Sequence, residues 1–153
     1  MNIELDIFEQ SKPEDSSGYL LWQISNLRQR KINTSLSDID LTYPQFVILA
    51  GIYWLKRDNK KVNQILLINF TKMDKSVVSS VLKLLEKKEF VIRETDVKDT
   101  RAKTLELSIN GAEKLDKAME IINEVDLHFF DLSTQNIEDL NGLFLKILKK
   151  NGY

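Results

Sequence analysis

Nine residues, TDVKDTRAK from Thr95 to Lys103, place two aspartates, two lysines and an arginine between two strand-like runs. Residues two apart in an extended segment point to the same side, so Asp99 and Arg101 can pair. An arginine held extended by a carboxylate loses less side-chain entropy on entering a nucleic-acid minor groove, where the potential is most negative. Lys98 and Lys103 then fall where the flanking phosphates run. Taken alone, the same residues also describe a surface ion pair in a loop, worth about 0–1 kcal/mol.

A second group lies just upstream. Lys75, Ser76, Ser79, Ser80 and Lys83 share one face of a helix whose opposite face carries Val78, Val81, Leu82 and Leu85. The apolar set has the i, i+3, i+4, i+7 spacing of a core-facing stripe. Short hydroxyls let a helix backbone approach the floor of a major groove, and lysines meet phosphates or guanine acceptors. Thr71 and Lys72, in the turn before this helix, join the same surface. A solvated face describes this helix alone equally well; helix and charged hairpin together, in that order, point to a DNA-contacting surface.

The elements that must position these groups follow from local signals. A first helix is expected from Ser16 to about Leu36, with Leu20, Ile24, Leu27 and Lys31 on one face and Arg28, Arg30 and Lys31 in its second half. Thr42 and Gln45 form a capping box, with Pro44 tolerated in the first turn of a second helix. The body of that helix, Phe46 to Leu55, is apolar on every side and is expected to be the buried centre. A third helix fits Asn63 to Phe70 with Asn63 as N-cap, and a fourth fits Lys75 to Lys88 with Asp74 as N-cap. The short turn between them makes a helix-turn-helix. FVIRE and TLELS are expected strands, with Leu105 and Leu107 pointing inward. Their connection is longer than the usual hairpin loop of about 2–5 residues and holds no glycine, so it is expected to project. A fifth helix is expected from Gly111 to Phe130. Ser133 caps a sixth, with Ile137, Leu140, Phe144, Ile147 and Leu148 repeating along it.

Composition narrows the function. The chain has 153 residues with 42% hydrophobic and 29% charged, ordinary for one soluble domain. It has no cysteine, which excludes disulfides, thiolate catalysis and zinc-thiolate sites. The first ten residues, MNIELDIFEQ, lack the cations of a signal peptide, and the longest apolar run, FVILAGIYWL, is short of the roughly 20 residues that cross a bilayer. A soluble, cytoplasmic protein is expected, with no membrane partner. Net charge is −1, but residues 71–103 hold nine Lys/Arg against six Asp/Glu, a net of +3; the remainder holds 13 against 17, a net of −4. A basic middle in an acidic frame fits a phosphate-facing patch. His128 is expected to be a capping or interface histidine, and Phe129 and Phe130 core or interface aromatics. With no nucleophile–base pair and no glycine-rich phosphate loop, no enzyme, cofactor or metal site is expected.

The order helix-turn-helix, strand, charged hairpin, strand, helix resembles the MarR family of winged helix-turn-helix transcription regulators. LTYPQFVIL, DKSVVSSVLKLLEKKEFVIR and DVKDTRAKTLELSINGAEKL carry the resemblance, the last with the family's Asp-x-Arg wing signature as Asp99 and Arg101. Asp96, Leu105, Leu107 and Gly111 also match. The resemblance implies a mainly α fold with a small β-hairpin wing, in a single domain over residues 1–153. Within it, residues 1–36 give an N-terminal dimerisation helix, 37–109 the winged helix-turn-helix lobe and 110–153 the C-terminal dimerisation helices. It also implies a homodimer on a near-palindromic double-stranded operator, acting as a repressor. A small phenolic or lipophilic effector is a further implied partner, with Tyr19, Trp22, Tyr53 and Trp54 available to line its crevice; the plainer reading of these aromatics is core. Four positions depart from the pattern: Ile68 stands for a small alanine, Thr71-Lys72 for Leu-Gly, and Glu89 for a glycine. Ser80 also replaces a frequent arginine, so the bases read are expected to differ. The competing reading is a winged-helix protein-interaction module without specific DNA binding, favoured by the acidic pI, the serine-rich face and the apolar QILLINF.

Overall fold

The computed structural model describes residues 12–58, 61–95 and 103–152. A 3-10 turn, Pro13–Asp15, leads into α1 (Ser17–Ser37), followed by α2 (Tyr43–Arg57), α3 (Gln64–Thr71) and α4 (Lys75–Lys87). Strands β1 (Val91–Thr95) and β2 (Lys103–Leu107) form an antiparallel hairpin, and α5 (Ile109–Phe130) and α6 (Thr134–Lys150) complete the described chain. This is the mainly α winged-helix architecture expected from the sequence.

Most helix starts obey their local chemistry. Ser16, Thr42, Asn63, Ser108 and Ser133 each accept a backbone N–H in the first turn of α1, α2, α3, α5 and α6. At Thr42 the capping box is complete, because Gln45 Oε1 accepts the Thr42 N–H at 3.1 Å. Asp74 departs from expectation. It occupies the N-cap position of α4, but its side chain makes no capping hydrogen bond.

The core is one apolar cluster. Ile48, Leu49 and Ile52 of α2 lie at its centre with Leu67 of α3, the stripe Val78, Val81, Leu82 and Leu85 of α4, and Leu105 of β2. Ile32 and Leu36 of α1 and Leu115, Ala118 and Ile122 of α5 continue it. Burying each Val, Leu or Ile of this set contributes about 1.5–3 kcal/mol. Close approach depends on two glycines. A Cβ at Gly51 would lie 2.8 Å from Leu67 Cδ1, so the Leu67 side chain of α3 would have to shift to admit one. A Cβ at Gly111 would lie 2.0 Å from the Phe90 carbonyl, which the start of α5 crosses.

Two expectations about burial change. α2 is not buried on every side: Tyr53 and Trp54 are each about half exposed, because the helix has one face on the surface. Leu107 is half-buried where Leu105 is fully so, since it sits at the end of the hairpin. The stripe on α6 buries no residue at all, and Leu20, Ile24 and Leu27 of α1 are likewise exposed.

Candidate nucleic-acid interface

The α3–α4 turn is built tightly. Lys72 caps α3 in the left-handed region (φ 56°), and its N–H donates to the Ile68 carbonyl at 2.9 Å. The Thr71 hydroxyl donates to the Leu67 carbonyl at 2.8 Å and accepts the Met73 N–H at 3.4 Å. Thr71 therefore spends its hydroxyl on the turn itself, whereas Lys72 is exposed on its outside. Half-buried Ile68 packs against the core, so the larger residue at this position is accommodated.

The recognition helix α4 presents the expected face. Lys75, Ser76, Ser80 and Lys83 are exposed and Ser79 is half-buried, while the opposite stripe is core. Ser80 donates from its hydroxyl to the Ser76 carbonyl at 2.9 Å, leaving its oxygen to accept. The Asp74 side chain makes no capping hydrogen bond, so the first-turn N–H groups of α4 receive no side-chain partner from it. Such open donors and the positive end of the helix dipole favour an anion.

The hairpin is fixed to this helix at its base. Its register pairs Val91 with Leu107 and Thr95 with Lys103, so the residues between the strands are 96–102. Lys103 is exposed at the loop end of the hairpin. Lys98, Asp99 and Arg101 lie outside the described residues, and so does their expected pairing. Arg93 of β1 is held by Glu86 of α4 at 2.6 Å. On the other strand, Glu106 pairs with Lys56 of α2, and the Leu105 N–H donates to the Val62 carbonyl at 2.8 Å. Where β1 begins, Glu89 is left-handed (φ 58°), and its carbonyl accepts the Ser108 hydroxyl at 2.6 Å.

The four aromatics proposed for an effector crevice separate into two places. Tyr19 stacks on Trp22 in α1, with ring centroids 6.1 Å apart, and Trp22 lines a groove with Ile24 and Leu27. Tyr53 and Trp54 instead line a cavity of about 520 Å³ between α2 and α5, with Arg57, Leu115 and Met119. The Arg57 guanidinium lies over the Trp54 ring at 5.2 Å. His128 is exposed, with Nδ1 2.8 Å from the Glu124 carbonyl of its own helix. Among the described residues no cluster of acids and histidines could hold a metal ion, and no helix is long and apolar enough to cross a membrane.

Sequence reasoning missed the polar contacts that join the elements. Arg28 of α1 binds Asp126 of α5 through Nε and Nη2, both at 2.7 Å, and donates from Nη1 to the Tyr43 hydroxyl of α2 at 2.9 Å. Lys88 donates to the Asp40 carbonyl and carboxylate at 2.7 and 2.8 Å, and Lys114 to the Ile39 carbonyl at 3.0 Å. No local pattern announces partners this far apart. Ser108 as the cap of α5 was detectable from its residue type and the helix that follows.

A helix-turn-helix whose second helix exposes lysines and serines, braced by a two-stranded hairpin, defines the winged-helix class. A family model described as Transcriptional regulator SarA/Rot matches residues 30–118. The uncharacterized HTH-type transcriptional regulator YdcH of Bacillus subtilis (strain 168) is 35% identical over 133 residues, which cover 87% of this chain and 90% of that protein. The solved S. aureus MepR–DNA complex is similar at 25% identity and a TM-score of 0.79, covering 88% of this chain and 98% of that one. A variant of E. coli MarR complexed with operator DNA shares the fold at 22% identity and a TM-score of 0.75, covering 86% and 92%. The chain belongs to the SarA/Rot family of transcriptional regulators, with the MarR-type winged-helix fold.

Proposed function

We propose that the chain is a homodimeric regulator that binds a near-palindromic double-stranded operator and represses transcription until a small effector releases it. The observation that carries DNA binding is the α4 face, where Lys75, Ser76, Ser80 and Lys83 stay in solvent while Val78, Leu82 and Leu85 are fully buried behind them. α4 of each protomer enters one of two successive major grooves, about one helical turn apart, with the wings in the flanking minor grooves. Ser76, Ser79 and Ser80 meet the groove floor, Lys72, Lys75, Lys83, Lys98 and Lys103 meet phosphates or base edges, and Arg101 steered by Asp99 enters the minor groove. Thr71 acts through the turn.

Dimerisation falls to α1, α5 and α6. The exposed α6 stripe of Phe144, Ile147 and Leu148 and the exposed Leu20, Ile24 and Leu27 of α1 supply apolar surface for a second copy. The effector site is the α2–α5 cavity beside Tyr53 and Trp54, where aromatic and aliphatic walls stand beside the Arg57 guanidinium and the Glu113 and Asp116 carboxylates; the two rings and the guanidinium suit a small phenolic or lipophilic molecule. An effector that favours the wrong spacing of the two α4 helices lowers operator affinity by the same coupling with which DNA lowers effector affinity.

The test combines light scattering with duplex binding across salt concentrations. A particle of twice 17.8 kDa, with affinity falling steeply as salt rises, is expected. A near-zero salt slope would instead favour the protein-interaction module, for which exposed Ile65 and Phe70 of α3 provide the apolar surface.

A further inference from the structure

The fully buried part of the apolar seam between α1 and α5 ends at Ile32 and Ile122, and the next turn of each helix carries a charge. There Arg28 of α1 reaches two other elements at once. Its fork donates two hydrogen bonds of 2.7 Å to the two carboxylate oxygens of Asp126 on α5. Its remaining terminal nitrogen donates to the Tyr43 hydroxyl at 2.9 Å, and the guanidinium carbon sits 5.5 Å from the centre of the Tyr43 ring. The Arg28 and Asp126 side chains are only 23% and 31% exposed, so solvent screens the contact weakly. The hydrogen bond to Asp126 raises the guanidinium pKa above its ordinary value against the opposing pull of burial.

Tyr43 is the first residue of α2, and α1 holds it a second time, through its N–H donated to Asn33 Oδ1 at 2.9 Å. The far end of α2 is tied to the wing by Lys56 and Glu106. Between its two ends α2 packs against α4 in the core. α2 is thus a strut, with one end fastened to α1 and α5 and the other to β2. A bidentate fork fixes an angle as well as a distance, which a lysine in the same place does not.

We propose that Arg28 is a positioning residue that sets the angle between the dimerising helices and the DNA-binding lobe, by gripping Asp126 of α5 and Tyr43 of α2 together. It touches no DNA; it acts through the placement of α4 and the wing. This rests on the proposed division into a dimerising arm and a DNA-binding lobe. Operator binding requires both α4 helices to meet their half-sites at once, whereas random duplex tolerates a misplaced second helix. Loss of the grip therefore lowers affinity for operator more than for random DNA.

The experiment uses the full chain with Arg28→Lys and Tyr43→Phe, which keep charge and bulk, beside Arg28→Ala. Affinity for a selected operator and for random duplex is measured at matched salt. Because the chain has no cysteine, spin labels are also placed at Lys87→Cys on α4 and Glu120→Cys on α5, and labelled chain is diluted into excess unlabelled chain. Arg28→Lys is expected to lose about ten-fold in operator affinity with little change on random duplex, and to broaden the α4–α5 distance distribution; ten-fold corresponds to about 1.4 kcal/mol. Tyr43→Phe is expected to show a smaller shift of the same sign. An Arg28→Lys protein with wild-type operator affinity, or with equal losses on both DNAs and an unchanged distance distribution, overturns the proposal. Should the wild type bind no DNA, the functional reading fails, and the distance distributions alone still decide whether Arg28 sets the angle.

Discussion

Glu86 of the recognition helix holds Arg93 of the first wing strand, accepting from Nε at 2.7 Å and lying 2.6 Å from Nη2. Both side chains are more than two-thirds buried, so the base of the wing and the recognition helix form one body. Removing either partner strands the other charge. Arg93→Ala is expected to lower stability by about 1–2 kcal/mol. In a double-mutant cycle with Glu86→Ala, read by denaturant unfolding, a coupling of about 1 kcal/mol is expected; additivity within about 0.3 kcal/mol would show the contact to be idle.

The lysines and the arginine proposed to contact DNA have separable signatures. Lys75→Ala and Lys83→Ala should each reduce the salt slope of binding by about 1 if they neutralise phosphate. Arg101→Ala should weaken binding by about 1–3 kcal/mol with fold and dimer intact. Affinity unchanged at matched salt would remove Arg101 from the interface.

Lys72 and Glu89 hold left-handed backbone, at φ 56° and 58°, at the two positions where the family pattern has glycine. A side chain there costs about 1–2 kcal/mol, partly offset by the greater unfolded-state freedom of glycine. Lys72→Gly and Glu89→Gly are each expected to stabilise by about 0.5–1 kcal/mol in thermal unfolding. Destabilisation by either would mean that the side chain supports the fold by more than its backbone strain.

Gly111 has the opposite constraint. A methyl there meets the Phe90 carbonyl at 2.0 Å, and backbone cannot swing aside as a flexible side chain can. Gly111→Ala is expected to destabilise by about 3 kcal/mol, near the upper end of overpacking penalties. Gly142→Ala, with nothing within 4 Å, is the control and should be near neutral or stabilising.

Lys88 holds the Asp40 carboxyl below its ordinary pKa of 3.8, first by hydrogen bonding and then by charge. A depressed acid contributes its stabilisation above the ordinary carboxylate range and loses it as pH falls through the lower folded value. An NMR titration of Asp40 should therefore show a midpoint under 3.8, returning toward it in Lys88→Met. An unshifted midpoint in the wild type would mean that the pair does not persist in solution.

How much of this was legible in the sequence depends on the range of the interactions. Thr42 and Gln45 announced α2, the Val78–Leu85 stripe oriented α4, and the runs on either side of the wing gave the hairpin, because each signal lies within a turn or a strand. Asp74 had the right type for a cap, yet its side chain makes no such bond, which residue type cannot foresee. Tyr53 and Trp54 sat in an apolar run that suggested full burial; only packing shows which side of α2 faces solvent. Arg28 and Asp126 are 98 positions apart, and no periodicity links them. The stripes on α1 and α6 were visible as faces, but no local signal in the sequence indicates which surface covers them.

The most direct test of the central claim is a binding selection. Purified protein is incubated with sheared genomic DNA from its source at moderate salt, and the retained fragments are sequenced. A shared inverted repeat with half-sites about one helical turn apart, upstream of a few genes, is the predicted result. Absence of retention, or retention without a common sequence, would contradict a sequence-specific regulator.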